Sequence, residues 1–199
     1  MSLGKQSKIL TQKQVKVMLA YLDDTRMPLR NQTICMLSVK AGLRAKEIAS
    51  LKWNMVVDAT GVIGNSIHLT NEASKGDSGR VIPLNKEVHE LLSNLYNDDQ
   101  CKAKFNVATS YVIRTERSPN TSPQAIVNMF KNWYADLGFI GCSSHSGRRT
   151  FITNLSKKLS LVGGSLRDIQ LLVGHKNLQT TQRYIEVDTD CQRKLVDLV

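Results

Sequence analysis

His175 precedes Tyr184 by nine residues in "GHKNLQTTQRYIEV", close to the C-terminal end of this 199-residue chain. Side by side, a tyrosine and a histidine offer a phenol that can attack and an imidazole that can exchange a proton or donate a hydrogen bond. On an unbroken helix the two would point to opposite sides, because nine residues at ~100° each end half a turn out of phase. Gly174, however, ends the amphipathic run "LRDIQLLV" (Leu166, Ile169, Leu172 and Val173), and Asn177 can cap a new helix carrying Thr180, Thr181 and Tyr184. That turn breaks the phase and permits the pair to converge. It equally permits a capped helix whose tyrosine packs on the core.

Three other stretches carry reactive or charged groups. In "SSHSGRRTFITN", His145 and Arg148 are three residues apart and project from one helical face, as they also would on a solvent-facing basic helix. In "AGLRAKEIASLKW", Arg44 opens a helix just past a glycine stop, where its charge opposes the helix dipole. Glu47 is its natural ion-pair partner; a solvated surface arginine is the other reading. Lys75 sits in the polar loop "NEASKGDSG". Cys142 and His145 offer two metal ligands without a second pair, so no metal or other cofactor is expected. His68 and His89 have no partners in sequence and read as ordinary surface or sheet residues.

The elements that must position these groups follow from periodicity. "LTQKQVKVMLAYL" is helical through Val15, Met18, Leu19 and Leu22, with Thr11 as N-cap; "LRNQTICMLSVKAG" is a buried helix stopped at Gly42. "NKEVHELLSNLY", "SPQAIVNMFKNWYADLG" and "HSGRRTFITNLSKKL" add three more. Between them, "MVVDATGVIGNSIHLT" and "GRVIPL" are β-branched runs separated by turn residues, the mark of a small antiparallel sheet of three strands. The expected class is α+β, mainly α, without βαβ alternation.

Composition narrows the partner. The net charge of +10 is distributed unevenly: residues 1–52 carry +7 and residues 100–185 carry +9, whereas residues 53–99 carry −4 and the last fourteen −2. Two basic blocks that meet on one face would attract a polyanion. No run of eighteen apolar residues exists, which excludes a helical membrane span, and the start lacks the apolar core of a secretory signal. Four scattered cysteines without C-x-x-C spacing fit reduced thiols in the cytoplasm.

Taken in order, the chain presents G-L-R-x-x-E, a lysine in a β-hairpin followed by R-V-I-P-L, H-x-x-R, and G-H with a tyrosine nine residues on. This order and spacing resemble the catalytic domain of the tyrosine recombinases, the phage integrase family, from about Lys8 to Val187. In length and layout the chain resembles the short fimbrial phase-switching recombinases. The resemblance implies a site of Arg44, Lys75, His145, Arg148 and His175 around the nucleophile Tyr184, with Glu47 supporting the first arginine. Arg44, Arg148 and His175 would hold the non-bridging phosphate oxygens. His145 would accept the tyrosine proton or donate to the phosphate, and Lys75 would protonate the leaving 5′-oxygen. One departure stands out: Gly147 occupies a position where leucine is usual, which removes a packing side chain.

The resemblance further implies a double-stranded DNA partner, a protein monomeric when free and tetrameric on paired sites, and strand exchange through a 3′-phosphotyrosyl link. Residues 1–199 are expected to form one catalytic domain without the N-terminal core-binding domain. Residues 187–199, apolar at Val187, Cys191, Leu195 and Leu198, are expected to form a helix exchanged between protomers. Two alternatives stay open at this point: relaxation of supercoils in the manner of a type IB topoisomerase, and a non-catalytic DNA-binding regulator.

Overall fold

The computed structural model describes residues 6–74, 76, 78–184 and 196–197. Helix α1 (Gln12–Asp23) begins at a capping box in which the Thr11 hydroxyl accepts the Gln14 amide and the Gln14 side chain accepts the Thr11 amide. Such a cap stabilises a helix by about 1 kcal/mol. α1 buries Met18 and Leu22 against α2 (Pro28–Lys40). α2 starts with a proline at its first turn, where the missing N–H costs nothing. Its run Thr33–Val39 is buried all round, because α1, α4 (Lys86–Gln100) and α6 (Ser146–Lys158) pack against it.

The short α3 (Ala45–Ser50) packs on α5 (Pro123–Asp136), which is capped by Ser122 and closed over Phe130 and Trp133. One hydrophobic core joins α1 to α5, with Trp53 fully buried and its indole N–H bonded to Asp99 on α4 at 3.1 Å. A second, smaller cluster forms around Ile152, Ile169 and Val173, contributed by α6 and α7 (Leu166–Val173). Each of those three aliphatic side chains contributes roughly 1.5–3 kcal/mol by leaving water. The last described helix is α8 (Leu178–Gln182), capped by Asn177.

The sheet is smaller than the sequence predicts. Among the described residues it has two strands, β1 (Ser66–Leu69) and β2 (Arg80–Pro83), antiparallel with Ile67 opposite Ile82 and Leu69 opposite Arg80. The expected third strand is reduced to a single bridge between Val57 and Ile63. Its chain leaves a 3-10 turn at Trp53–Met55 and is then drawn into a tight turn, where the Asp58 carboxylate accepts the Thr60 and Val62 amides. Too few extended residues are left to build a ladder.

The predicted helix over 187–199 lies, but for residues 196–197, outside the described residues. No described helix is long and apolar enough to cross a membrane.

Candidate active site

Glu47 is the centre of the site. Its carboxylate is fully buried, and three arginines from three distant parts of the chain turn toward it. Arg44, the N-cap of α3, donates its backbone N–H to Oε2 at 2.8 Å and its Nη1 to Oε1 at 2.7 Å. Its extended backbone takes it out of the helix, so the conflict with the dipole is avoided and its charge instead meets the first-turn glutamate. Arg80, at the start of β2, grips both carboxylate oxygens, Nη1 to Oε1 at 2.9 Å and Nη2 to Oε2 at 3.1 Å. Arg148, in the first turn of α6, holds Nη1 4.0 Å from Oε2.

Burial pushes Glu47 up, but the hydrogen bonds and charge of Arg80, the Arg44 amide and the charge of Arg148 outweigh it and leave the carboxyl below its usual range. Three guanidinium groups against one carboxylate give the cluster a net charge of +2. Arg148 is 3% exposed and braced by backbone carbonyls: Nη1 donates to Gly42 at 2.6 Å and Nη2 to Val173 at 2.5 Å. Burial, then the neighbouring Arg44, lowers its pKa to about 9, so it stays cationic at neutral pH. Two of its five donors are spent on these carbonyls, and three remain.

Gly174 ends α7 in a left-handed conformation (φ 62°) that a side chain rarely adopts, and the chain turns there into His175. The turn does bring the histidine and tyrosine together. Their rings stack with centroids 5.5 Å apart and 23° between planes. Thr153 on α6 fixes the tyrosine from behind, its hydroxyl donating to the Tyr184 carbonyl at 3.1 Å. His175 Nδ1 lies 3.0 Å from the buried Thr181 hydroxyl. Burial, then the charges of Arg148, Arg44 and Arg80, lowers the His175 pKa to about 4, so the ring is neutral at pH 7. Beside it a cleft of about 560 Å³ runs between β2 and the end of α7, lined by Arg80, Gln170, Leu172, His175 and Lys176.

The other expected residues stand apart from this cluster. His145 is exposed at the N-terminus of α6, and its ring makes no hydrogen bond or ring contact with any described residue. Lys75 lies outside the described residues. Among its described neighbours, Lys46 on α3 donates to the Ser74 carbonyl at 2.7 Å, and the Asn71 side chain accepts the Gly79 amide at 2.7 Å. Gly147 corrects the expectation of a merely lost packing group. A Cβ there would stand 2.3 Å from the Ser38 hydroxyl of α2, so the glycine lets α6 approach α2 closely next to Arg148.

Two residues had escaped the sequence reading. Arg80 shares a strand face with the buried Ile82, and an arginine on an inward face needs a buried acid, which was the available signal. Thr181 stands three residues before Tyr184 on a short helix, and nothing local marks it as the histidine's partner. Among the described residues, no group of three or more His, Cys, Asp or Glu side chains is placed to hold a metal ion.

This geometry combines surplus positive charge and fixed donors with a phenol stacked at the edge, an arrangement whose charge suits an anion. The sequence profile of the phage integrase family matches residues 8–190, and the chain belongs to that family. It is 30% identical to the tyrosine recombinase XerC of Bacillus pumilus over 205 residues, covering 97% of this chain and 63% of that relative. The crystal structure of XerA recombinase superposes with a TM-score of 0.71 at 22% identity, over 96% of this chain and 64% of the other. The Tn1549 transposon integrase, solved in complex with transposon right end DNA, superposes with a TM-score of 0.75 at 18% identity, over 100% and 67%. These two likenesses establish the fold: the mainly helical catalytic domain with its small antiparallel sheet. The chain spans about three fifths of the length of its XerC relative.

Proposed function

We propose that this chain is the catalytic part of a site-specific DNA recombinase that cleaves and rejoins strands through a 3′-phosphotyrosyl intermediate. The observation that carries this reading is the stacking of Tyr184 on a neutral His175 beside the arginine cluster centred on Glu47. The scissile phosphate sits against Arg44 and Arg148, whose fixed charges meet the negative charge that grows on its oxygens. In this reading the Thr181 hydroxyl, 3.0 Å from His175 Nδ1, is the donor of that pair, which leaves the ring proton on Nε2 as a further donor to the phosphate.

The Tyr184 oxygen attacks phosphorus, the bond from phosphorus to the 5′-oxygen breaks, and the 3′-phosphate becomes joined to the tyrosine. The phenol's proton passes to His145 and the leaving 5′-oxygen takes one from Lys75. Because His145 stands exposed at the helix entrance, DNA must bring it to the site. A second 5′-hydroxyl then reverses the step, so the exchange needs neither ATP nor a cofactor. Removing one donor from such a cradle costs ~3 kcal/mol, about a hundredfold in rate.

Double-stranded DNA is the partner in this reading, bound in the cytoplasm by a protein that is monomeric when free and tetrameric on paired sites. Residues 1–199 act as one catalytic domain, and the tail 187–199 docks on the neighbouring protomer. The relatives named above are recombinases and an integrase, which favours strand exchange over supercoil relaxation. A stacked tyrosine nucleophile favours an enzyme over a regulator. The test is a nicked duplex whose cleaved end diffuses away, drawn from a pool of sites and analysed on a denaturing gel. Wild-type protein is expected to give a covalent protein–DNA band that Tyr184→Phe lacks. A band of equal strength with Tyr184→Phe would remove the tyrosine from the chemistry.

A further inference from the structure

Arg80 takes no part in the chemistry just proposed, yet it is the most heavily engaged side chain of the cluster. Its side chain is 6% exposed, so it cannot reach far toward a bound duplex. It holds Glu47 with both terminal nitrogens, donates Nε to the Leu172 carbonyl of α7 at 2.7 Å and bonds the Ser78 carbonyl of its own hairpin at 3.1 Å. It also runs directly beneath Gly174, where an added Cβ would lie 3.0 Å from its Nη1. One guanidinium therefore joins the start of α3, the hairpin that carries Lys75 and the turn that carries His175.

Charge explains why an arginine stands there. A buried carboxylate must be compensated, and Glu47 has three guanidinium groups within 4.0 Å. Arg80 meets the carboxylate as a two-pronged fork, the geometry that satisfies both oxygens at once. Without that fork, the same carboxylate would draw Arg44 and Arg148 inward and cancel half of the surplus charge. On the reading given above, we propose that Arg80 is a positioning residue: it neutralises Glu47 so that Arg44 and Arg148 keep their charge for the phosphate, and it locks the hairpin to the His175 turn.

A packing role alone would predict lost stability and nothing specific at His175. The charge-balancing role predicts a rescue. Arg80→Met leaves Arg44 and Arg148 as the only guanidinium groups facing Glu47 and drops the cluster to +1; Arg80→Met combined with Glu47→Gln removes both charges and restores a net +2, while glutamine still accepts the Arg44 amide. His175 reports on this directly. The groups that face it are Arg148 from α6, Arg44 and Glu47 from the start of α3, Arg80 from β2, and Thr181 and the Tyr184 ring from the chain beyond.

The experiment uses the full chain well below its unfolding transition. It measures single-turnover cleavage of the nicked duplex, duplex affinity by fluorescence anisotropy, and the His175 titration by NMR. Arg80→Met is expected to slow cleavage by about a hundredfold, the cost of a misplaced reacting group, with little change in affinity. Its His175 should titrate higher than in the wild type. The double variant should recover about tenfold of the lost rate and bring the titration back down. A double variant no faster than Arg80→Met, or Arg80→Met cleaving at the wild-type rate, overturns the proposal. If the wild type itself cleaves no duplex, the recombinase reading fails instead, and the titration still decides: an unmoved His175 in Arg80→Met sinks the role of Arg80.

Discussion

His175 is anchored to a buried hydroxyl: its Nδ1 lies 3.0 Å from Thr181 Oγ1, and Thr181 is completely buried. A buried hydroxyl shielded from water is therefore the fixed partner of one ring nitrogen, and its hydrogen bond selects the tautomer of His175. Thr181→Val keeps the shape and removes the hydroxyl. Cleavage is expected to fall by about tenfold or more, with a stability loss of about 1 kcal/mol. Single-turnover kinetics beside denaturant unfolding checks both; an unchanged rate would free His175 of this dependence.

Acid should destabilise the protein in two overlapping steps. Folded His175 titrates at about 4 against an ordinary 6.5, so the unfolded chain binds its proton first. Stability from this group is fully present above pH 6.5 and is lost as pH falls toward 4. Glu47, held below its ordinary 4.5, adds a loss that begins lower and continues through its depressed value. Urea midpoints measured across this window should fall steadily, and His175→Gln should flatten the upper part of the curve.

The contact of Gly147 with Ser38 makes a steric prediction. Gly147→Ala drives a Cβ to 2.3 Å from the Ser38 hydroxyl, and the overpacking should cost about 1–3 kcal/mol. Among the described residues the buried Ser38 hydroxyl has no hydrogen-bond partner, so Ser38→Ala alone should be neutral or stabilising. The double variant should be more stable than Gly147→Ala. Thermal unfolding of the three proteins is sufficient; additive losses would place the strain elsewhere.

Lys46 ties the hairpin loop to α3 through the Ser74 carbonyl at 2.7 Å. Lys46→Met is expected to speed amide exchange across residues 70–79 and leave α6 protected. If Lys75 is the acid for the leaving oxygen, cleavage should slow by about tenfold, while a substrate with a better leaving group should be spared. Equal slowing of both substrates would dissociate the loop from proton delivery.

Binding itself should be governed by salt. For a protein that neutralises phosphates with the basic blocks 1–52 and 100–185, the logarithm of affinity falls linearly with that of salt concentration. Arg44→Ala should reduce that slope by about one, whereas Arg80→Met, which keeps both phosphate-facing guanidinium groups, should reduce it by less. Anisotropy titrations at several salt concentrations separate the two.

Much of this protein is local and therefore legible in the chain. Thr11, Asn85, Ser122 and Asn177 each cap the helix they precede, because a side-chain oxygen beside free backbone amides acts within a few residues. Gly42 and Gly174 stop helices by taking a conformation other residues resist. The break in phase after Gly174 permitted His175 and Tyr184 to converge, and in the fold their rings stack while Tyr184 also packs on the second apolar cluster. Tertiary structure decided what local rules do not carry. Arg80 meets Glu47 across 33 residues and Leu172 across 92, and periodicity cannot say which buried charge will find which. The same holds for Thr181 under His175 and for Ser38 against Gly147. The third strand failed because the Asp58 turn took the backbone first. Spacing and the family resemblance suggested which groups could react, but only the fold buried one carboxylate among three arginines drawn from separate parts of the chain.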